Sequence, residues 1–304
     1  GRMGLNQHLI RSVLAIRDDG GLLLTDGSKL MPDPILVGRN KLKLKEIASR
    51  YAVDRYTTDL DNALENTDDS VFFDSGTTKM RVEILNKAIS AGKHIYCEKP
   101  VADDLQGALE IAKYARQKEV KNGVVHDKLY LPGLIKLKRL HDAGFFGKIL
   151  SVRGEFGYWV FDGEIIPAQR PSWNYRKSDG GGIIKDMLCH WRYVLDNVIA
   201  PVKSVSCAGK VHISERWDES GQKYEADADD AAYASFELEG GIIAQINSSW
   251  SVRVKRDDLA TFQVDGTLGS AVAGLHKCSI QHHLNTPKPT WNPDQPQTLR
   301  FHDH

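Results

Sequence analysis

The stretch Gly92-Lys93-His94-Ile95-Tyr96-Cys97-Glu98-Lys99-Pro100 is predicted to form a short apolar strand that runs into a Glu-Lys-Pro sequence. Pro100 lacks a backbone N–H and favours an extended conformation at the residue before it, so the strand should end at Lys99. In an open α/β sheet the carboxyl ends of the strands face the ligand crevice. A lysine there would be partly removed from water and able to exchange protons. The alternative is a solvated lysine in a loop.

Strands and helices alternate on both sides of this stretch. Apolar runs at 35–37, 71–73, 94–97 and 122–125 are separated by segments with helical periodicity. This rhythm is typical of a mostly parallel, doubly wound sheet. We therefore predict an α/β dinucleotide-binding domain of the Rossmann type over residues 1–128.

The first residues of the chain resemble part of a phosphate-binding turn. Gly1 and Gly4 precede an apolar spacing that fits a helix. They match the second half of Gly-x-Gly-x-x-Gly, in which backbone amides approach a pyrophosphate at a helix N-terminus. On this interpretation the first strand and the first glycine precede residue 1. We predict that the cofactor is contacted here by Gly1, Arg2, Met3 and Gly4.

The strand at 35–37 ends at Gly38-Arg39-Asn40, where an NAD enzyme usually has an acidic residue for the adenosine ribose. Because Arg39 suits a 2′-phosphate, we predict NADP as the cofactor; an arginine that stacks on adenine in an enzyme using NAD or NADP is the alternative. The next two strands should bring further residues to the same crevice. The predicted cofactor contacts after residue 4 are Gly38, Arg39, Asn40, Asp74, Ser75, Gly76, Thr77, Glu98 and Lys99.

The pattern changes after residue 130. Strand-like runs at 149–160, 202–213, 231–239, 242–249 and 261–264 predict an α+β domain over residues 129–304, built on a large open, mainly antiparallel sheet. One face of the sheet should cover the crevice, and the other should associate with another subunit in a homodimer or homotetramer. The acidic segment 225–230 is predicted to be a solvated turn.

The loop at 162–179 contains large aromatic and polar residues. Aromatic faces suit the weakly apolar faces of a polyol ring, and polar side chains suit its hydroxyls. An ordinary surface loop with aromatic packing is the alternative. With His126, which ends the last strand of the first half, the predicted substrate contacts outside the catalytic residues are Trp173, Asn174, Tyr175 and Arg176.

Three glycines, Gly180 to Gly182, enter a predicted helix that carries Asp186 and His190. Residues four apart share one face of a helix, so the acid and the imidazole could form a proton-transfer pair. A surface contact or half of a metal site are the alternatives. Because the sequence nearby holds no further His or Cys cluster, we predict no metal.

Composition excludes several kinds of partner. The 40 basic and 40 acidic side chains give a net charge of zero, so we expect no nucleic acid and no membrane partner. The sequence contains no apolar run of about eighteen residues, so we expect no membrane span. Its four cysteines are far apart, which favours reduced thiols in a cytoplasmic protein.

The motifs Glu98-Lys99-Pro100 and Gly180-Gly181-Gly182 followed by Asp186 and His190 together resemble the glucose-fructose oxidoreductase, inositol dehydrogenase and MocA family, Gfo/Idh/MocA. The resemblance covers nearly the whole chain. It implies an N-terminal Rossmann domain that binds NAD or NADP and a C-terminal domain that binds a sugar, cyclitol or related polyol. It also implies that Lys99, Asp186 and His190 are catalytic and that Gly1, Gly4 and Arg39 lie on the cofactor.

The sequence departs from the family pattern at three places, the first being the strand and glycine that would precede residue 1. Asp74-Ser75-Gly76-Thr77 replaces a Thr-Pro type turn, and Met187-Leu188-Cys189 replaces a pattern of smaller residues. The resemblance implies an NAD(P)-dependent oxidoreductase that moves a hydride between a sugar, cyclitol or polyol and the nicotinamide. Two alternatives remain: glycoside cleavage through transient oxidation and elimination, and a non-catalytic dinucleotide-binding regulator. Whether Lys99 or His190 is the main base also stays open.

Overall fold

The computed structural model describes residues 3–157, 171–287 and 294 of the chain. The chain divides into two compact units, unit 1 over Gly1–Val125 and unit 2 over His126–His304. Each unit has its own sheet system and its own hydrophobic core.

In unit 1, short strands alternate with helices, as the sequence predicts. Its elements in chain order are a π-type helix at Gly4–Leu14, α1 (Ala15–Asp18), β1 (Leu22–Leu23), β2 (Lys29–Leu30), β3 (Ile35–Val37), α2 (Lys41–Arg50), β4 (Arg55–Thr57), α3 (Leu60–Glu65), β5 (Val71–Asp74), α4 (Thr78–Ser90), β6 (His94–Cys97), α5 (Leu105–Gln117) and β7 (Asn122–Val124).

The strands of unit 1 form one hairpin and two groups of parallel strands. β1 pairs with β2 in the antiparallel hairpin, β3 pairs with β4, and β5, β6 and β7 lie side by side in that order. In a doubly wound sheet of order 3-2-1-4-5-6, the first strand lies between two such parallel groups. Within residues 3–125, no strand links them.

Side-chain caps fix the starts of the helices that follow the strands. The carboxylate of Asp104 accepts a hydrogen bond from the backbone N–H of Gly107 at 2.7 Å, and Asn40 accepts one from Lys43 at 3.0 Å. Each cap satisfies an N–H that has no partner within its own helix. The helix between β6 and β7 therefore begins at Leu105, directly after its capping residue.

Unit 2 begins with helical turns and continues as a large sheet. Its elements are a 3₁₀ turn at Asp127–Tyr130, α6 (Pro132–Asp142), β8 (Ile149–Gly157), a 3₁₀ turn at Ser172–Tyr175, a π-type turn at Ile184–Leu188, α7 (Cys189–Val198), β9 (Val202–Lys210), β10 (Glu215–Trp217), β11 (Lys223–Glu225), β12 (Ala231–Leu238), β13 (Ile243–Ser249), β14 (Ala260–Gly266), β15 (Gly269–Ala273) and β16 (Cys278–His282).

Seven of these strands form one sheet in the order β16-β15-β14-β8-β13-β12-β9. β8 and β13 are parallel, and every other neighbouring pair is antiparallel. The predicted large, mainly antiparallel sheet is therefore confirmed as a mixed sheet. The sequence did not predict the two outer strands β15 and β16 or the separate hairpin of β10 and β11.

One face of the seven-stranded sheet is covered by α7. The indole N–H of Trp191 donates to the hydroxyl of Ser248 at 2.8 Å. The Trp191 ring also lies 5.4 Å from the rings of Phe156 and Phe262, between centroids. These contacts hold α7 against β8, β13 and β14, and they fix the position of His190, the residue before Trp191.

The acidic segment at 225–230 is not a solvated turn. Asp230 is fully buried and pairs with the equally buried Arg216 at 2.8 Å. Its carboxylate also accepts the backbone N–H groups of His212 at 2.8 Å and Ile213 at 3.0 Å. Burial of this charge is possible because an opposite charge and two N–H donors compensate it.

None of the helices in the described part of the chain is both long and apolar enough to cross a membrane.

Candidate active site

In unit 1, Glu98 and Lys99 follow β6 directly, as predicted. Nε2 of His8 lies 2.5 Å from Oε1 of Glu98, and the His8 ring packs against Phe73 with 4.6 Å between centroids. The helix at Gly4–Leu14 is thereby tied to the carboxyl ends of β5 and β6. His8 was not among the predicted site residues, although its position one turn after Gly4 in the first helix could have indicated a polar contact.

Gly4 and Ser75, two predicted cofactor contacts, lie next to each other. The Ser75 hydroxyl occupies the space that a Cβ atom on residue 4 would need. A side chain at residue 4 would therefore require the side chain of Ser75 to move. Met3 is 54% exposed, and Gly1 and Arg2 lie outside the described residues.

Asp74 has a different environment from the one predicted. It is buried, and its carboxylate accepts hydrogen bonds from Nε of Arg81 at 2.6 Å and from the backbone N–H of Gly76 at 3.0 Å. Arg81 also donates to the carbonyls of Gly76, at 2.9 Å, and of Pro100. Asp74 therefore anchors the turn, and Arg81, which the sequence analysis missed, joins the ends of β5 and β6. Thr77 is the residue that precedes α4.

The three predicted residues after β3 have different roles. The backbone N–H of Gly38 donates to the carbonyl of Thr57 at 3.2 Å, and the Asn40 side chain caps α2. Arg39 is exposed to solvent. Of the two side chains in this segment, that of Asn40 is used as a helix cap, and that of Arg39 points to a solvent-exposed position.

In unit 2, the three glycines before the catalytic candidates are required by backbone conformation, by close packing or by both. Gly180 has a φ of +81° and Gly182 a φ of +118°, both of which favour glycine. A Cβ on Gly181 would collide with the carbonyl of Asn174, and one on Gly182 would lie 2.8 Å from the carboxylate of Asp229. At Gly181 and Gly182 the backbone therefore closely approaches other groups of the protein.

Asp229 fixes the start of the helix that carries Asp186 and His190. Its carbonyl accepts the N–H of Ile183, and its carboxylate accepts the N–H of Ile184, both at 2.8 Å. Asp186 lies in the π-type turn and is half-buried, whereas His190 lies in α7 and is 4% exposed. Both predicted residues therefore stand on one continuous helical segment.

His190 belongs to a cluster of polar side chains within unit 2. Its Nδ1 lies 2.6 Å from the hydroxyl of Tyr193, and this hydroxyl lies 3.4 Å from Oδ1 of Asp127. The ring of His126 stacks on Tyr193 with 4.1 Å between centroids. The structure thus brings together His126 and His190, both predicted. Asp127 and Tyr193 were missed, although they follow the predicted histidines by one and three residues.

The electrostatics of the cluster favour a charged Asp127. Partial burial opposes ionisation of Asp127, but the Lys128 ammonium at 2.6 Å, His190 and the Tyr193 hydroxyl hold its pKa below the ordinary value. Burial lowers the pKa of His126, against the smaller opposing effect of Asp127. Burial also raises the pKa of Tyr193, so this residue keeps its proton at neutral pH.

The predicted sugar-binding residues at 173–176 are divided by the fold. Tyr175 is fully buried, with the guanidinium of Arg216 3.9 Å above its ring and Trp250 at 5.7 Å between centroids. Asn174 is also buried, and its side chain donates to the carbonyl of Pro171 at 3.1 Å. Both side chains therefore belong to the core of unit 2, which corrects the prediction that they face a sugar.

The other two residues of this group remain accessible. Trp173 is 49% exposed, and the Arg176 guanidinium lies 4.3 Å above the ring of Tyr224. Residues 158–170, which include the first part of the predicted loop, lie outside the described residues. Across residues 3–157 and 171–287, no group of three or more His, Cys, Asp and Glu side chains could hold a metal ion.

Comparison with known proteins places both halves of the chain in one group. Residues 34–126 match the model of an oxidoreductase family with an NAD-binding Rossmann fold, and residues 134–272 match the GFO/IDH/MocA C-terminal domain. D-xylose dehydrogenase of Paenarthrobacter nicotinovorans is 58% identical over 307 residues, which cover 100% of this chain and 79% of that protein.

Solved structures share the fold at lower identity. An NAD binding oxidoreductase from Klebsiella pneumoniae has a TM-score of 0.81 at 20% identity, over 93% of this chain and 75% of that one. Levoglucosan dehydrogenase in complex with NADH and L-sorbose has a TM-score of 0.77 at 22% identity, over 90% of this chain and 72% of that one.

Proposed function

Because this chain belongs to the Gfo/Idh/MocA family of oxidoreductases, we propose that it is a sugar dehydrogenase that uses NAD or NADP and acts on D-xylose or a closely related aldose. The observation that carries the proposal is the 58% identity with a D-xylose dehydrogenase over the whole chain. At that identity the two proteins share a fold, and a common substrate class is the simplest expectation.

Unit 1 has the features that a bound dinucleotide needs. A helix begins at Gly4 where a side chain has no room, and Ser75, Glu98 and Lys99 follow the carboxyl ends of β5 and β6. Helix starts and strand ends of this kind bind the phosphates and sugars of dinucleotides. When bound, the oxidised nicotinamide supplies a hydride acceptor.

The residues of the chain then bind the sugar and accept the proton of its hydroxyl. In the proposed mechanism, His190 accepts the proton of the hydroxyl that is oxidised. Lys99, the third catalytic residue implied by the family resemblance, is proposed to stabilise the negative charge that develops on the substrate. Asp186 binds a neighbouring hydroxyl and orients the sugar. Among the predicted sugar contacts, His126, Trp173 and Arg176 remain candidates.

For the choice between cofactors we propose NADP. The support is the sequence Gly38-Arg39-Asn40 after β3, where Arg39 is exposed and no carboxylate follows the strand. A guanidinium pairs with a phosphate through two parallel hydrogen bonds, whereas an acidic residue would hold a free ribose hydroxyl.

We further propose that the protein is a homodimer or homotetramer joined through the open face of the seven-stranded sheet. In support, Tyr233, Ile243 and Val272 on that face are each more than 40% exposed in the single chain. Light scattering coupled to gel filtration measures the mass of the assembly directly.

We also propose a cytoplasmic location. In support, none of the four cysteines forms a disulfide, as is usual for proteins of that compartment.

A spectrophotometric assay tests the proposed activity. The full-length protein is mixed with NAD or NADP and, in turn, with D-xylose, other pentoses and hexoses, cyclitols and glycosides. We expect reduction of the nicotinamide with D-xylose at a higher kcat/KM than with the other sugars. Consumption of a glycoside without net reduction would replace the proposal by elimination chemistry. Cofactor binding without turnover of any sugar would favour a regulator.

A further inference from the structure

Asp127, Tyr193 and His190 form a chain of contacts inside unit 2. His190 and Tyr193 lie one turn apart on α7, and Asp127 opens the 3₁₀ turn before α6. The Tyr193 hydroxyl is 2.6 Å from Nδ1 of His190 and 3.4 Å from Oδ1 of Asp127, and these last two atoms are 3.9 Å apart. The hydroxyl thus bridges an imidazole and a carboxylate.

The hydroxyl of Tyr193 has only one proton to give. Its oxygen accepts a hydrogen bond from the backbone N–H of Lys128 at 3.2 Å. One donor proton and one acceptor position remain for the two other neighbours. If the hydroxyl donates to His190, the proton of a neutral imidazole must be on Nε2. If it donates to Asp127, Nδ1 of His190 carries the proton and Nε2 is unprotonated.

The charge on Asp127 favours the second arrangement. An ionised carboxylate can only accept, and a hydrogen bond to it is about twice as strong as one between neutral groups. The same charge, 3.9 Å from Nδ1, attracts the imidazole proton to that nitrogen. His126 stacks on Tyr193, which limits rotation of the ring and keeps the hydroxyl in the bridge.

We propose that Asp127 and Tyr193 are positioning residues that hold the proton of neutral His190 on Nδ1, so that Nε2 is the atom that accepts a proton from the substrate. The inference rests on the proposed function, in which His190 takes the proton of the sugar hydroxyl. The hydroxyl's O–H bond breaks, an N–H bond forms at Nε2, and the imidazolium is stabilised through Tyr193 by the carboxylate.

Two substitutions separate this role from simple packing. Tyr193→Phe removes the bridging hydroxyl and keeps the ring that stacks on His126. Asp127→Asn keeps the size of a half-exposed side chain and removes its charge. Matched controls are Tyr130→Phe, which removes the hydroxyl of a 75% exposed tyrosine, and Asp142→Asn, which removes an exposed carboxylate on α6.

The first measurement is the tautomer of His190 in the resting protein, without sugar or cofactor. Long-range ¹⁵N–¹H NMR distinguishes a protonated from an unprotonated ring nitrogen, and the His190→Gln variant identifies the signals. We expect the proton on Nδ1 in the wild type and both controls, and mostly on Nε2 in Asp127→Asn and Tyr193→Phe. A proton on Nε2 in the wild type, or on Nδ1 in both variants, overturns the proposal.

The second measurement is steady-state kinetics with the best sugar. We expect kcat to fall by about a hundredfold in both variants, because the base is held in the wrong form, while KM for the sugar stays unchanged. Unchanged kcat in both variants overturns the proposal. If no sugar is turned over, the proposed function fails, and the NMR result still decides whether the two residues fix the tautomer. Asp127 is half-exposed, so its variant is expected to fold.

Discussion

Arg81 donates from Nε to the carboxylate of Asp74 at 2.6 Å, in a pair whose side chains are only 2% and 6% exposed. Removing one member of such a pair leaves an uncompensated buried charge. We predict that Arg81→Met lowers the free energy of unfolding by about 3–5 kcal/mol, as measured by urea denaturation.

The same substitution should weaken cofactor binding, because Arg81 also holds the carbonyls of Gly76 and Pro100 after two neighbouring strands. Arg116→Met, at the end of α5, is the control for loss of a positive charge. A stability equal to that of the wild type would mean that the pair contributes no net stabilisation.

The hydrogen bond that Asp229 accepts at the start of the helical segment predicts a second effect on stability. Asp229→Ala removes the acceptor of the Ile184 N–H, so we expect a loss of about 1–2 kcal/mol, as for other helix caps. Turnover should also fall, because the affected turn carries Asp186. Asp229→Asn keeps an acceptor oxygen and should recover most of both losses. Thermal unfolding and kcat measured together test this, and equal effects of Ala and Asn would contradict it.

The sequence predicted those parts of the fold that depend on local patterns. The apolar strand before Lys99 and the strand-like run at 231–239 are each readable from a few neighbouring residues. Contacts between distant residues were not readable, as the pair of Arg216 and Asp230 shows. The segment 225–230 is acidic, and nothing nearby in the sequence indicates that a buried guanidinium compensates its last carboxylate.

At the candidate site, too, local patterns were predicted from the sequence and contacts between distant residues were not. Asp186 and His190 were predicted from their spacing, and the structure puts them on one helical segment. Tyr175 was predicted to face a sugar, but its side chain is buried. An aromatic ring can pack in a hydrophobic core as well as against a ligand. Tyr193 was missed because its importance depends on Asp127, which is 66 residues away in the chain.

Arg39 should set the preference between the two cofactors. If the guanidinium pairs with the 2′-phosphate as proposed, Arg39→Gln should lower kcat/KM for NADP relative to NAD by about tenfold or more. Stability should not change, since the side chain is exposed. Arg50→Gln, with a 65% exposed side chain at the end of α2, is the matched control. An unchanged ratio of the two kcat/KM values would assign Arg39 no part in the choice.

Cys97 is predicted to be the slowest of the four thiols to react. Burial raises the pKa of Cys97 to about 11, more than the nearby Arg81 lowers it. At pH 8 only about one Cys97 in a thousand is then a thiolate, the form that reacts. Cys207 is exposed and should be alkylated first. Mass spectrometry of peptides after timed alkylation gives the order, and early labelling of Cys97 in folded protein would refute it.

Lys99→Met tests the catalytic role proposed for Lys99, which follows β6. Methionine keeps the length and apolar character of the side chain but removes the charge that would stabilise the developing alkoxide. We expect sugar-dependent turnover to fall by about a thousandfold, comparable to the loss of an oxyanion donor, with a much smaller change in the dissociation constant of the cofactor. Lys113→Met, on the exposed surface of α5, controls for loss of a lysine. Full activity of Lys99→Met would remove Lys99 from the mechanism, whereas loss of both turnover and cofactor binding would assign it to the dinucleotide site.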